Sequence, residues 1–86
     1  MPHVTLYGTQ LCPYCRRAEQ LLKNKGVTDL EKIAVDSDPN EMDTMIARTG
    51  RRSVPQIFIG ETHVGGYDDL AALDRQGRLD ALLKSG

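Results

Sequence analysis

The chain has two cysteines, Cys12 and Cys15, and they lie where its pattern changes from strand-like alternation to helical spacing. Val4 to Tyr7 alternate in the manner of a short strand, Gly8 to Leu11 form a loop, and apolar residues recur at helical intervals after Pro13. A fold that accommodates this order must present Cys12-Pro13-Tyr14-Cys15 at the mouth of a helix that follows a strand. Pro13 suits the first helical turn, where its missing N–H is no loss. A thiol at that point meets unpaired backbone amides and the positive end of the helix dipole. Both favour the thiolate, the nucleophile of thiol–disulfide exchange. A second thiol one turn later can close a disulfide and expel whatever the first has captured. The pair therefore reads as a redox site, with Cys12 attacking and the less exposed Cys15 resolving.

The rest of the pattern fills in the fold. Tyr14, Ala18, Leu21 and Leu22 share one helical face, and Gly26 falls just past the end of a helix expected over Pro13–Lys25. Leu30 to Val35 reads as a second strand with Ile33 and Val35 on one face. Asp38-Pro39-Asn40-Glu41 is a helix-start signature, with Asp38 as cap and Glu41 able to reach back. Met42, Met45, Ile46 and Thr49 follow at helical spacing, and Gly50 ends that helix. Gln56–Ile59 is a third strand, Gly60-Glu61 a hairpin turn, and Thr62 to Val64 an antiparallel fourth strand. Gly65-Gly66 breaks it, and Asp68 or Asp69 opens a third helix with Leu70 and Leu73 inward. After Gly77, Leu79, Leu82 and Leu83 make a short final helix. The order is β-α-β-α-β-β-α plus a terminal helix. It predicts an α/β fold: a four-stranded mixed sheet with helices on both faces.

Composition narrows the function classes. Eighty-six residues make one domain over 1–86. Eleven basic against twelve acidic residues give a net charge of −1, which argues against nucleic acid as a partner. No apolar run approaches a membrane span. Met1 to Leu6 lacks the basic start and long apolar core of a signal peptide, so a cytoplasmic protein is expected, and its size and composition make a monomer the default. A zinc site would need a second cysteine pair or a close histidine pair, whereas His3 and His63 are far apart. A purely structural disulfide would close too small a loop to restrain the unfolded chain much.

Two further segments carry less on their own. Ser53-Val54-Pro55 places a proline at the start of an apolar strand, and by itself this is best read as an ordinary loop-to-strand proline. Gly65-Gly66-Tyr67-Asp68-Asp69 joins close-approach glycines to a helix start that suits an anion, and by itself it is best read as a capped loop. Arg16 and Arg17 read equally as a solvated helix face or as positive charge near the thiols.

Together, Cys12-Pro13-Tyr14-Cys15, Ser53-Val54-Pro55 and Gly65-Gly66-Tyr67-Asp68-Asp69 resemble the dithiol glutaredoxins over nearly the whole chain. Gly50 to Ile59 and Tyr67-Asp68-Asp69-Leu70 look most like the small bacterial members of the glutaredoxin 3 type. The resemblance implies a thioredoxin-like fold and a glutathione-dependent oxidoreductase that reduces protein–glutathione mixed disulfides and protein disulfides. It implies Cys12 as nucleophile, Cys15 as resolving thiol and Pro55 as a cis-proline facing them. Glutathione, the reductant and co-substrate, would pair with the Val54 backbone beside Ser53, with Tyr14 flanking it. Arg51 would meet its glycine carboxylate, and Asp68 and Asp69 its γ-glutamyl end, so that basic and acidic groups stand at opposite sides, and Gly66 would also touch glutathione. Disulfide-containing or glutathionylated proteins would be the partners. No metal and no tightly bound cofactor is expected. Three positions depart from the family pattern: Thr9 stands where lysine is common, Ser53 where threonine is usual, and Tyr67 where relatives often have a third cysteine. Two other readings of the same fold are a redoxin reduced by a thioredoxin reductase and an iron–sulfur-carrying dimer that uses Cys12 and glutathione as ligands.

Overall fold

All five residues of β1 (Val4–Gly8) are buried, because this strand lies inside a sheet covered on both faces. The computed structural model describes residues 2–84; Met1, Ser85 and Gly86, which the expectations for the N-terminus and for a domain over 1–86 include, lie outside the described residues. After β1 come α1 (Pro13–Asn24), β2 (Leu30–Ala34), α2 (Pro39–Thr49), β3 (Gln56–Ile59), β4 (Thr62–Gly65), α3 (Tyr67–Arg75) and α4 (Arg78–Lys84). The strand order is β2-β1-β3-β4. β1 runs parallel to β2 with Val4 opposite Leu30, and antiparallel to β3 with Val4 opposite Ile59. The hairpin pairs β3 with β4, and its register shifts between Ile57 and Phe58. The four-stranded mixed sheet predicted from the element order is the one observed.

Strand alternation sorts the core into two halves. Val4 and Leu6 of β1 and Ile57 and Ile59 of β3 point to one face, where Ala18, Leu22, Leu70, Leu79 and Leu83 from α1, α3 and α4 cover them. Tyr7 and Phe58 point to the other face and meet Met45 of α2 with Val35. The two rings there pack edge to face at 6.1 Å. The Arg48 guanidinium lies 3.9 Å from the Phe58 centroid and donates to Tyr7 Oη at 2.8 Å, closing this smaller core with a cation.

Helix ends follow the sequence closely, with two corrections. The buried stripe of α1 is Cys15, Ala18 and Leu22, whereas Tyr14 is 53% exposed. Tyr14 sits in the first turn of α1. Its ring lies against Tyr67 (centroids 6.2 Å apart) and Arg17 (5.4 Å), not against the core. The start of α3 is also earlier than expected. Gly66 is the N-cap, and Asp69 reaches back from the first turn to accept from the Gly66 amide at 2.9 Å. The glycine before it, Gly65, has φ of 115°, and a Cβ there would overlap the Asp69 carboxylate. In α2 the Asp38 carboxylate accepts from the Asn40 amide at 2.9 Å, and Gly50 closes the helix with φ of 72°.

Because the sheet separates the two cores, their contributions should be independent. Met45→Ala is expected to cost about 2–5 kcal/mol and Ile57→Val about 0.5–1.5 kcal/mol. Urea unfolding of the double variant should give their sum within about 0.5 kcal/mol. A coupling energy well above that would mean that the two clusters behave as one.

Candidate active site

Cys12 is not inside α1 but caps it. Its backbone is extended (φ −89°, ψ 113°), and its Sγ accepts from the Cys15 amide at 3.3 Å. The sulfur therefore does what a serine or aspartate oxygen does at other helix starts, satisfying an amide that Pro13 and the helix leave unpaired. The Cys15 amide and the positive end of the helix dipole both point at this sulfur. Cys12 is half-buried, and its Sγ lies 3.9 Å from Val54 O.

Cys15 is in the opposite situation. It is 5% exposed and packs within the larger core, and both cysteines are free thiols. Burial pushes the Cys15 thiol up to about 12, the contact with Cys12 pushes the same way, and the Thr9 backbone acts against them. Gly8 makes room for this sulfur: a Cβ on Gly8 would lie 2.9 Å from Cys15 Sγ. Cys15 lines a second cavity of about 490 Å³, with Gly8, Thr9, Arg16, Glu19 and Lys32 among its walls.

The segment before β3 lies against Cys12 through Val54. The Val54–Pro55 peptide is cis, and Pro55 is buried. Beside it runs a groove of about 250 Å³ lined by Tyr14, Arg51, Ser53, Val54, Pro55, Gln56, Gly66, Tyr67, Asp68 and Asp69. The structure thus brings Tyr14, Arg51, Ser53, Val54, Gly66, Asp68 and Asp69 together on one groove, with Pro55, although they are far apart in sequence. Cys12 does not line the groove; it stands at the Val54 carbonyl.

The charges are arranged differently from the expectation. Arg51 and Asp69 do not stand at opposite sides. Arg51 Nη1 lies 3.3 Å from Asp69 Oδ2, and each side chain is half exposed. The Gly66 amide, and then the Arg51 guanidinium, hold the Asp69 carboxyl below the usual carboxylate range. Asp68 is exposed and has no ion-pair partner among the described residues. Arg16 donates to Gln10 O and Arg17 lies over the Tyr14 ring, so both are held on the helix surface.

Gln56 and Tyr67 line the groove, and His63 pairs with Gln56 behind it, yet the sequence assigns none of the three a site role. Gln56 is a polar residue in an apolar strand run, directly after Pro55, and is 1% exposed. That placement was the available signal, because a buried amide needs partners and its partners turn out to be Ser53 and His63. Tyr67 gave no signal beyond its departure from the family pattern.

The family model for glutaredoxin matches residues 4–64. The chain belongs to the glutaredoxin family. A glutaredoxin of Pseudomonas aeruginosa is 55% identical over 85 residues, covering 99% of this chain and 100% of that protein. Glutaredoxin 3 of Escherichia coli strain K12 is 49% identical over 84 residues, covering 98% and 100%. Among solved structures, a buckwheat glutaredoxin–glutathione complex superposes with a TM-score of 0.86 at 28% identity, covering 95% of this chain and 76% of that one. Glutaredoxins are thiol–disulfide oxidoreductases, and this member is a glutathione-dependent dithiol oxidoreductase acting through the cysteine pair. Its thioredoxin-like fold agrees with the sheet order described above.

Two measurements check the electrostatics. In the folded chain Cys15 keeps its proton up to about 12, whereas an unfolded thiol loses it near 8.5. The unfolded state then binds fewer protons, so stability falls as pH rises through that window. The urea midpoint should therefore drop more between about pH 8 and about pH 10.5 in the parent protein than in Cys15→Ala. Equal drops would mean that burial of Cys15 does not set its ionisation. In the same protein, one equivalent of iodoacetamide at neutral pH should label Cys12 and leave Cys15 free, as peptide mass spectrometry can read.

Asp69 works with the opposite sign. Its folded value is depressed, so its contribution is present above the ordinary carboxylate value of about 3.9 and is lost as pH falls through it. Acid unfolding between about pH 5 and about pH 2 should be shallower in Asp69→Asn. An unchanged slope would show that the Gly66 and Arg51 contacts do not stabilise the carboxylate in solution.

Proposed function

We propose that the groove holds glutathione in an extended form with its sulfur at Cys12, and that the chain reduces both glutathionylated proteins and protein disulfides. The observation that carries this reading is an open groove lined by Val54, whose carbonyl lies 3.9 Å from the amide-capped sulfur of Cys12. Val54 would pair with the tripeptide backbone as a strand edge does. The exposed Tyr14 ring would flank it. The Gly66 turn and the first amides of α3 suit the γ-glutamyl carboxylate, and the free Asp68 suits its ammonium. Arg51 would meet the glycine carboxylate, and Asp69 would set the position of Arg51 as well as the start of α3. A buckwheat relative seen as a complex with glutathione supports the same ligand here.

The two thiols then divide the chemistry. In the first route the Cys12 thiolate attacks the glutathione sulfur of a mixed disulfide. The target sulfur leaves as a thiolate and takes up a proton, while Cys12 carries the glutathione. A second glutathione, as thiolate, attacks that sulfur, giving oxidised glutathione and restoring Cys12. In the second route Cys12 attacks a protein disulfide and forms a mixed disulfide with the protein. Cys15 gives up its proton, attacks the Cys12 sulfur and releases the protein as a dithiol. Two glutathiones then reduce the Cys12–Cys15 disulfide in succession. Cys15 stays inert until this step because it is protonated and buried, which keeps the first route open.

The roles separate by substitution. Cys15→Ser should retain turnover of a small glutathione mixed disulfide and lose reduction of a protein disulfide. Cys12→Ser should lose both. If Cys12→Ser kept the first activity while Cys15→Ser lost it, the assignment would be reversed. Coupling the assay to glutathione reductase should sustain turnover. Support from thioredoxin reductase alone would favour the redoxin alternative.

A further inference from the structure

Gln56 lines the groove yet is 1% exposed, so it meets the groove with almost none of its surface. Its amide is nonetheless fully engaged. Nε2 donates to Ser53 O at 3.0 Å and to Ser53 Oγ at 3.3 Å, and Oε1 lies 2.8 Å from His63 Nε2. A backbone carbonyl can only accept, so the nitrogen of the Gln56 amide must be the atom that faces Ser53 O. The oxygen therefore faces His63, and His63 Nε2 must carry its hydrogen. The imidazole is held in turn by stacking on Phe58, with centroids 5.0 Å apart and planes at 30°.

Ser53 C=O and Val54 N–H belong to one peptide group. The cis bond lies one residue later, so this group is trans, and in a trans group the two point in opposite directions. With the carbonyl turned inward to Gln56, the Val54 N–H is turned away from Gln56. No described residue accepts a hydrogen bond from it. An unpaired amide beside the nucleophilic sulfur is a group kept for a ligand.

We propose that Gln56, oriented by His63, is a positioning residue that pins the Ser53 carbonyl and so aims the Val54 N–H at the backbone carbonyl of the substrate residue whose sulfur reacts. The contact recognises peptide backbone, so it serves the cysteinyl residue of glutathione and that of any extended peptide disulfide. The inference rests on the glutathione reading above and adds to it the side chains that make Val54 competent. Gln56 acts through Ser53 and touches no reacting atom. His63 acts one bond further away.

The test is steady-state turnover of the mixed disulfide of glutathione with 2-mercaptoethanol by the parent, Gln56→Leu, His63→Phe and the double variant. Gln56→Leu should raise KM by about tenfold, the size of one hydrogen bond lost from the bound state. Its kcat should stay within about twofold and Cys12 alkylation should be unchanged, since the sulfur cap is untouched. His63→Phe should raise KM by a smaller factor, because Gln56 keeps Ser53 but loses its own orientation. The double variant should match Gln56→Leu, because the two act in series. In the parent, saturation with S-methylglutathione should shift the Val54 amide proton downfield, and Gln56→Leu should lose most of that shift. An unchanged KM and an unchanged Val54 shift in Gln56→Leu would overturn the proposal, as would a fall in kcat at constant KM. Should Gln56→Leu not fold, the part-buried His63→Phe carries the same test through KM and the Val54 shift. A parent protein that did not turn over the mixed disulfide at all would instead overturn the glutathione reading.

Discussion

The sulfur of Cys12 caps the first turn of a helix through one amide, and most of the site is arranged around that contact. The Cys15 amide at 3.3 Å makes the nucleophile and the helix start a single object. A thiol in this position cannot be moved without unravelling the first turn, and the turn cannot fray without uncovering an amide. Pro13 removes one donor that would otherwise compete and sets the backbone angle that starts the helix. The same four residues therefore specify where α1 begins and where the reactive sulfur stands.

The second thiol gains its character from the rest of the fold. Cys15 lies on the inner stripe of α1 with Ala18 and Leu22, pressed toward β1 at Gly8. Two cysteines one helical turn apart thus meet opposite surroundings: one at the rim beside backbone donors, the other in an apolar interior that raises its ionisation to about 12. This asymmetry gives an attacking and a resolving group from identical chemistry. It depends on β1 being central, because an edge strand would not bury that face of α1 so completely.

The opposite wall of the site is tied together by polar pairing around one buried amide, that of Gln56. Ser53, Gln56 and His63 link the loop, β3 and β4 through hydrogen bonds of 2.8 to 3.3 Å. Asp69 links Gly66, at the end of the hairpin, to Arg51 on the loop before β3. A half-exposed ion pair of this kind contributes little stability. Its consequence is geometric, since it fixes a cation and the start of α3 relative to each other on the rim of the groove.

Element order, the helix starts at Pro13 and Pro39, the αL glycine at Gly50 and the thiol pair were all legible in the sequence, because each depends on neighbours a few residues away. Local periodicity also separated the strands correctly. It misplaced Tyr14, which has an apolar spacing but packs on Tyr67 and Arg17 at the surface, and it placed the start of α3 late, because the cap there is a glycine served by Asp69 from inside the helix. Gln56 could be read only as a strand residue. What the sequence by itself determined is the chemistry available: two thiols one turn apart, at a helix mouth, in a four-stranded mixed sheet. The tertiary structure alone decided how deeply Cys15 is buried, that Arg51 pairs with Asp69, and that Gln56 faces Ser53. Those outcomes arise from contacts between segments far apart in the chain, and no local pattern encodes which distant partner a side chain will meet.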